Sequence, residues 1–140
     1  MEPEPVIEYT DRLDGVEPSH LDGFFVGWPS PPSPERHLEL LRGSAAVGLA
    51  RESEDGRIVG FVTAVGDGVL SAYIPLLEVL PAYQGRGIGS ELVRRLLAGL
   101  GGLYMIDVCC DAELEPFYRR LGFRTLDRGM GIRNYEAAAG

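Results

Sequence analysis

The chain has 140 residues, 45% of them apolar, and a formal net charge of −8. That length fits one domain spanning 1–140, able to bury roughly two-thirds of its unfolded surface. The apolar share argues against a disordered chain, and the negative balance argues against nucleic-acid binding, which needs a positive face for phosphates. An acidic surface suits a cationic substrate, though it also serves solubility. No apolar run approaches the roughly 18 residues of a membrane span. The opening MEPEPVIEY has no basic segment followed by an apolar one, so neither a signal peptide nor membrane association is expected. Cys109 and Cys110 are neighbours, which makes neither a disulfide framework nor a zinc site. No metal is expected, and a reducing cytoplasm is the simplest compartment.

In chain order, Val6 to Tyr9 reads as a first strand and Pro18 to Phe25 as a short helix weakened by Gly23. Trp28 to Pro34 holds four prolines, which fix φ and remove donors. It reads as a rigid connector, or alternatively as a proline-rich docking element. A helix follows from Ser33 or Pro34 through Leu41, ended by Gly43. Ala45 to Arg51 and Arg57 to Val65 form a hairpin across Glu54-Asp55-Gly56. Ile58-Val59-Gly60-Phe61-Val62 is apolar throughout, as expected of a strand covered on both faces. Gly66-Asp67-Gly68 turns the chain into one long strand, Val69 to Leu80.

The stretch from Val79 to Leu100, VLPAYQGRGIGSELVRRLLAGL, organises the rest. Ile88, Leu92, Leu96 and Leu100 recur every fourth residue, with Val93 and Leu97 beside them, so the spacing predicts an amphipathic helix. Gly101-Gly102 ends it. The glycine-rich turn before it would bring backbone N–H groups to the positive end of that helix, where the natural guest is an anion such as pyrophosphate. A dinucleotide fingerprint fails because Ser90 or Leu92 stands where the last glycine belongs, and no Gly-Lys pair exists for a phosphate loop. A strand is expected over Leu103 to Cys109; its alternation would bury one cysteine and let the other line a cleft. Pro116 is tolerated only in a first turn, so the next helix starts near Glu113 or Leu114 and runs to Leu121. Gly122-Phe123 opens a last pair of strands, split near Arg128-Gly129.

Two stretches carry a resemblance. Gln84-Gly85-Arg86-Gly87-Ile88-Gly89 fits Q-x-x-G-x-G directly before a helix, and LEPFYRRLGF from Leu114 to Phe123 is a helix bearing a tyrosine and closing on Leu-Gly-Phe. Together they resemble the signatures of the GNAT superfamily of acetyl-CoA-dependent N-acetyltransferases, specifically so from about Ile58 to Phe123. The resemblance implies an α/β (α+β) domain with a mixed, largely antiparallel sheet flanked by helices. It also implies direct acetyl transfer from acetyl-CoA to a primary amine of a small molecule or peptide, with no acyl-enzyme. Pyrophosphate would sit on the N–H groups of Gly85, Gly87, Ile88, Gly89 and Ser90, with Gln84 in the motif and Arg86 adding charge. Pantetheine would lie along backbone groups of Leu77 and Val79. Asp111 stands where the family often has an asparagine that touches pantetheine; an ionised aspartate accepts there but cannot donate.

Tyr118 matches the tyrosine that serves many members as general acid to the departing thiolate, and a free phenol lies near a thiol in acidity. For the base, Tyr73 occupies the position several members use but is a poor base at neutral pH; Glu78, the only carboxylate in that strand, could serve directly or through water or equally be a solvent-facing charge; and water alone is a third candidate. The resemblance places Phe24, Phe25 and Trp28 in the region that forms one wall of the acceptor site, which makes them candidates for substrate contact, although core packing explains the two phenylalanines as well. A non-catalytic acyl-CoA-binding module is the alternative reading, and an interaction domain docking through Pro29 to Pro34 is a third. A homodimer is compatible with either of the first two.

Overall fold

The computed structural model describes residues 6–53 and 56–139. Among the described residues six strands form one sheet: β1 (Ile7–Thr10), β2 (Ala46–Glu52), β3 (Ile58–Gly66), β4 (Ser71–Ile74), β5 (Leu77–Val79) and β6 (Met105–Val108). Its order is β1-β2-β3-β4-β6, with β5 also on β3. All pairs are antiparallel except β4 with β6, which is parallel. Three α-helices flank it: α1 (Pro34–Gly43), α2 (Ile88–Gly99) and α3 (Glu115–Arg120). The expected mixed, largely antiparallel α/β architecture is the one observed.

Local chemistry explains the helix starts. Pro34 takes the first position of α1, where its missing N–H costs nothing, and the Ser33 hydroxyl accepts from Arg36 N–H at 3.2 Å. In α2, Ile88, Leu92, Val93 and Leu96 form the buried stripe. Gly60 lets that stripe close onto the sheet, because a Cβ there would stand 3.1 Å from Leu92 and 3.2 Å from Ile88. Ile58, Val59, Phe61 and Val62 are wholly buried, as their unbroken apolar run predicts.

Three expectations need correction. The stretch from Val69 to Leu80 is two short strands rather than one. Between them the pairing with β3 slips by one residue, from Tyr73 opposite Val65 to Leu77 opposite Val62. The slip falls at Pro75, which cannot donate to a ladder, so the extra residue is taken up as a bulge. The Pro18-to-Phe25 helix shrinks to a single 3₁₀ turn, Pro18–His20. The last pair of strands does not form among the described residues: 123–134 is irregular and a 3₁₀ turn spans Tyr135–Ala139. A strand needs an edge to pair with, and this segment makes no ladder with β6. The hairpin positions Glu54 and Asp55 lie outside the described residues; Gly56 beside them takes φ +76°.

Candidate active site

The bulge at Pro75 creates the site. β4 and β6 run side by side up to Ile74 opposite Val108. Beyond that point β5 stays on β3, while the chain after Val108 turns away toward α3. The sheet therefore opens into a V with β5 as one arm. The pairing of β5 decides which groups face the opening. Thr63 N–H donates to Leu76 O at 3.0 Å and Leu80 N–H to Val59 O at 2.8 Å, so the even-numbered residues turn their backbone toward β3. In an antiparallel ladder the intervening residues point theirs the other way. Leu77 and Val79 therefore aim N–H and C=O into the V. Val79 O already accepts the Gln84 amide at 3.0 Å, which ties the glycine-rich turn to the strand.

Two glycines shape that turn. Gly85 and Gly87 have φ of +80° and +81°, and a Cβ at either would meet nothing within 4 Å. Backbone conformation, rather than crowding, demands glycine at these two positions. Gly87 is the N-cap of α2 and has no side chain to cap it. The first intrahelical bond is Glu91 N–H to Gly87 O at 3.1 Å, which leaves the N–H groups of Ile88, Gly89 and Ser90 as open donors. Arg86 folds back with its guanidinium 5.3 Å from the Tyr83 ring centre, adding a cation at the same end. Uncapped donors, a helix dipole and a nearby arginine fit a pyrophosphate, and the outward groups of Leu77 and Val79 fit an amide-bearing arm such as pantetheine.

Across the V, Tyr118 of α3 is buried among Phe117 and Phe123, with ring centres 4.9 and 5.5 Å away. Burial, with Cys110 and Tyr73 nearby, pushes its hydroxyl up to about 12. It keeps its proton throughout the neutral range, but its acidity no longer matches that of a thiol as a free phenol's would. Tyr118, Tyr73, Cys109 and Cys110 share the wall of a cavity of about 1040 Å³. Tyr73 is hydrogen-bonded to Cys109, and this bond, followed by burial, raises its phenol further from a useful base. Both cysteines are exposed, against the expectation of one in and one out, because they lie beyond Val108 where the strand's alternation has ended. Burial, then Glu115 and Asp111, pushes the Cys110 thiol up, the opposite of what a nucleophile needs.

The remaining residues fall elsewhere. Glu78 is neither in that cavity nor a free surface charge. Its carboxylate accepts from Phe25 N–H at 2.9 and 3.0 Å and from Val26 N–H at 3.3 Å. It pins a loop in which Phe25 adopts φ +63°, a left-handed conformation uncommon for a phenylalanine. Phe24 and Phe25 are core residues: they pack edge-on against His37 and Phe61, with ring centres 4.8 to 5.9 Å apart. Trp28 is 41% exposed and packs edge-on against Phe25 at 5.0 Å, so of the three only its ring is exposed. Asp111 is exposed at the head of the turn before α3.

Sequence reasoning missed two features. His37 is fully buried with both ring nitrogens unpartnered, and burial lowers it to about 4. Only its place on the apolar face of α1 hinted at this. The outer wall of the cavity comes from residues 124–133, which no motif linked to Tyr118.

A V opened by a strand bulge, with a glycine-rich turn feeding the helix beside it and a tyrosine opposite, defines the GNAT fold. The family model for the acetyltransferase (GNAT) domain matches residues 46–125, and the chain belongs to that family. A crystal structure of a candidate acetyltransferase from Deinococcus radiodurans R1 is 48% identical; it superposes with a TM-score of 0.92 over 96% of this chain and 92% of that one. Serotonin N-acetyltransferase 2, chloroplastic, from Oryza sativa subsp. japonica is 38% identical over 78% of this chain and 57% of its own length. Histone acetyltransferase TAP1 from Glycine max is 29% identical over 75% of this chain and 50% of its own. The chain thus spans about half the length of the curated relatives it matches.

Proposed function

We propose that this chain transfers an acetyl group from acetyl-CoA directly to a primary amine of a small molecule or peptide. The observation that carries the reading is the uncapped start of α2 standing beside the outward backbone of Leu77 and Val79, with the Tyr118 hydroxyl across the V. Acetyl-CoA, when bound, supplies the acetyl group as an activated thioester. The N–H groups of Gly85, Gly87, Ile88, Gly89 and Ser90, with Arg86, would hold its pyrophosphate. Leu77 and Val79 would hold its pantetheine arm, with Asp111 near the other side. The Tyr118 hydroxyl, fixed as a donor, would hydrogen-bond the sulfur as it gains negative charge.

On this reading neither Glu78 nor Tyr73 serves as the base. The Glu78 carboxylate is committed to the Phe25–Val26 backbone, and Tyr73 is held further from ionisation by Cys109 and burial. Water is therefore the acceptor of the amine's proton, and Glu78 acts by holding the loop that carries Trp28. The two curated relatives name different acceptors, serotonin and histone, so the amine is not fixed by kinship. The net charge of −8 favours a cationic one. Two exposed free cysteines fit a reducing compartment such as cytoplasm.

Thiol release from acetyl-CoA across a panel of amines tests the reading. Turnover with at least one amine is expected, with no stoichiometric acetyl adduct on Cys109 or Cys110 by intact-mass spectrometry. Thermal stabilisation by CoA without thiol release would favour the binding-module alternative. An adduct that passes its acetyl to amine would replace direct transfer by a cysteine route.

A further inference from the structure

Two thiols stand side by side in the cavity that holds Tyr118. Tyr73 pairs with Asp107 and Ile74 with Val108, so Cys109 and Cys110 follow the last paired residue of β6. Both are free and exposed. Each is tied to a phenol of the site. The Tyr73 hydroxyl is hydrogen-bonded to Cys109, and Cys110 lies close enough to Tyr118 to raise its phenol. All four side chains line the same cavity. Direct acetyl transfer uses neither thiol, and among the described residues they join no group of three or more metal-ligating side chains. Adjacent Cα atoms lie about 3.8 Å apart across a trans peptide, closer than the roughly 4.4–6.8 Å of a relaxed disulfide. The pair therefore rests as two thiols and closes only under strain.

The acetyl-transfer reading, on which this inference rests, brings a further sulfur to the same place. Pantetheine laid along Leu77 and Val79 ends at the Tyr118 hydroxyl, and Cys110 is beside that hydroxyl. We propose that Cys109 and Cys110 form a thiol-exchange site for a disulfide of CoA, with Cys109 as the attacking thiol and Cys110 as the resolving one. Burial, then Glu115 and Asp111, keeps the proton on Cys110, which leaves the first attack to Cys109.

One half of the disulfide takes the place of acetyl-CoA, and the other half leads out through the open cavity. The Cys109 thiolate attacks the sulfur of the bound half. The S–S bond between the two CoA halves breaks and a Cys109–CoA disulfide forms. The outer CoA leaves as a thiolate and takes up the proton that Cys109 released. The Cys110 thiolate then attacks the Cys109 sulfur, the bound CoA leaves as a second thiol, and a Cys109–Cys110 disulfide remains. Over both steps the cysteines lose two electrons and two protons, which appear in the two CoA thiols. The second step is slow, because Cys110 offers little thiolate and its product is strained. The CoA-linked form accumulates, and it excludes acetyl-CoA until a dithiol reductant removes it.

The test follows the intact mass of the reduced, desalted full chain with CoA disulfide and, in parallel, with glutathione disulfide. CoA disulfide should add one CoA per chain at least about tenfold faster than glutathione disulfide adds glutathione, because binding presents its sulfur to Cys109. Peptide mapping should place the adduct on Cys109, and dithiothreitol should restore the starting mass. Cys110→Ser should hold the adduct, whereas the wild type should pass slowly to a chain two hydrogens lighter. Cys109→Ser should lose the fast reaction. Gly87→Ala should slow the exchange with CoA disulfide and leave that with glutathione disulfide unchanged. Equal rates with the two disulfides, a first adduct on Cys110, or an undiminished rate in Cys109→Ser would each overturn the proposal. Amine-dependent thiol release and CoA calorimetry on untreated protein separate the two readings. Equal exchange rates in a chain that binds CoA and turns over sink the exchange site alone, while absence of CoA binding sinks both.

Discussion

Tyr118→Phe removes one oxygen from a side chain that is 7% exposed and leaves the contacts with Phe117 and Phe123 in place. Burial holds this phenol at about 12, whereas an ordinary thiol ionises near 8.5. Handing the proton over completely would be uphill by roughly 3.5 units, or about 5 kcal/mol. The hydroxyl therefore works as a hydrogen-bond donor to a sulfur that is gaining charge. A hydrogen bond to a charged group is worth about 1.5–3 kcal/mol, so kcat should fall about tenfold to 150-fold. Full general-acid catalysis would be worth roughly 10²–10⁴-fold, and the two ranges overlap only at their edge. The affinity for acetyl-CoA should barely change. A raised phenol keeps its proton until the pH climbs toward 12, so the wild-type rate should show no alkaline limb from Tyr118 below about pH 11. The measurement is a kcat profile over pH for both proteins, with calorimetry to show that the mutant still binds CoA. A loss under threefold, or a loss beyond 10³-fold together with an alkaline limb near pH 10 that vanishes in the mutant, would refute this reasoning.

Further expectations concern the loop, the turn and the core. Glu78→Gln keeps the side chain's shape but loses a charge-assisted grip on Phe25 and Val26; KM for the amine should rise more than kcat falls, at a stability cost of about 1–3 kcal/mol. A fall in kcat alone, with loss of an acidic limb, would make Glu78 the base after all. Gly87→Ala forces a side chain into φ +81° at a cost of roughly 1–2 kcal/mol, and it should weaken CoA binding at least tenfold while the folded spectrum is retained; unchanged affinity by calorimetry would remove the turn from the binding site. His37, lowered to about 4 by burial, is protonated more readily when the chain unfolds. Its contribution is therefore present above pH 6.5 and lost as pH falls from 6.5 toward 4, up to about 3 kcal/mol. His37→Leu should flatten the dependence of Tm on pH between 6.5 and 5, and an unaltered slope there would show that other groups carry it.

Periodicity and turn chemistry are local, and what they dictate is legible in the sequence. The apolar stripe of α2, the Ser33-Pro34 start of α1, the buried run of β3 and the Gln84–Gly89 turn all follow from neighbours a few residues apart. The two signatures then identified the family, because each joins a specific residue order to a specific local shape. What depended on distant partners was not legible. The outward aim of Leu77 and Val79 comes from a one-residue slip against β3 at Pro75, which is visible only once the strands are paired. Glu78 looks like any strand carboxylate until a loop 53 residues away presents its N–H groups. Phe24 and Phe25 read equally as acceptor contacts or as core until α1 and β3 are seen to close around them. The segment after Phe123 has the composition of strands, yet composition supplies only half a ladder. Whether it forms one is decided by which edge lies within reach, and among the described residues 123–134 stays irregular.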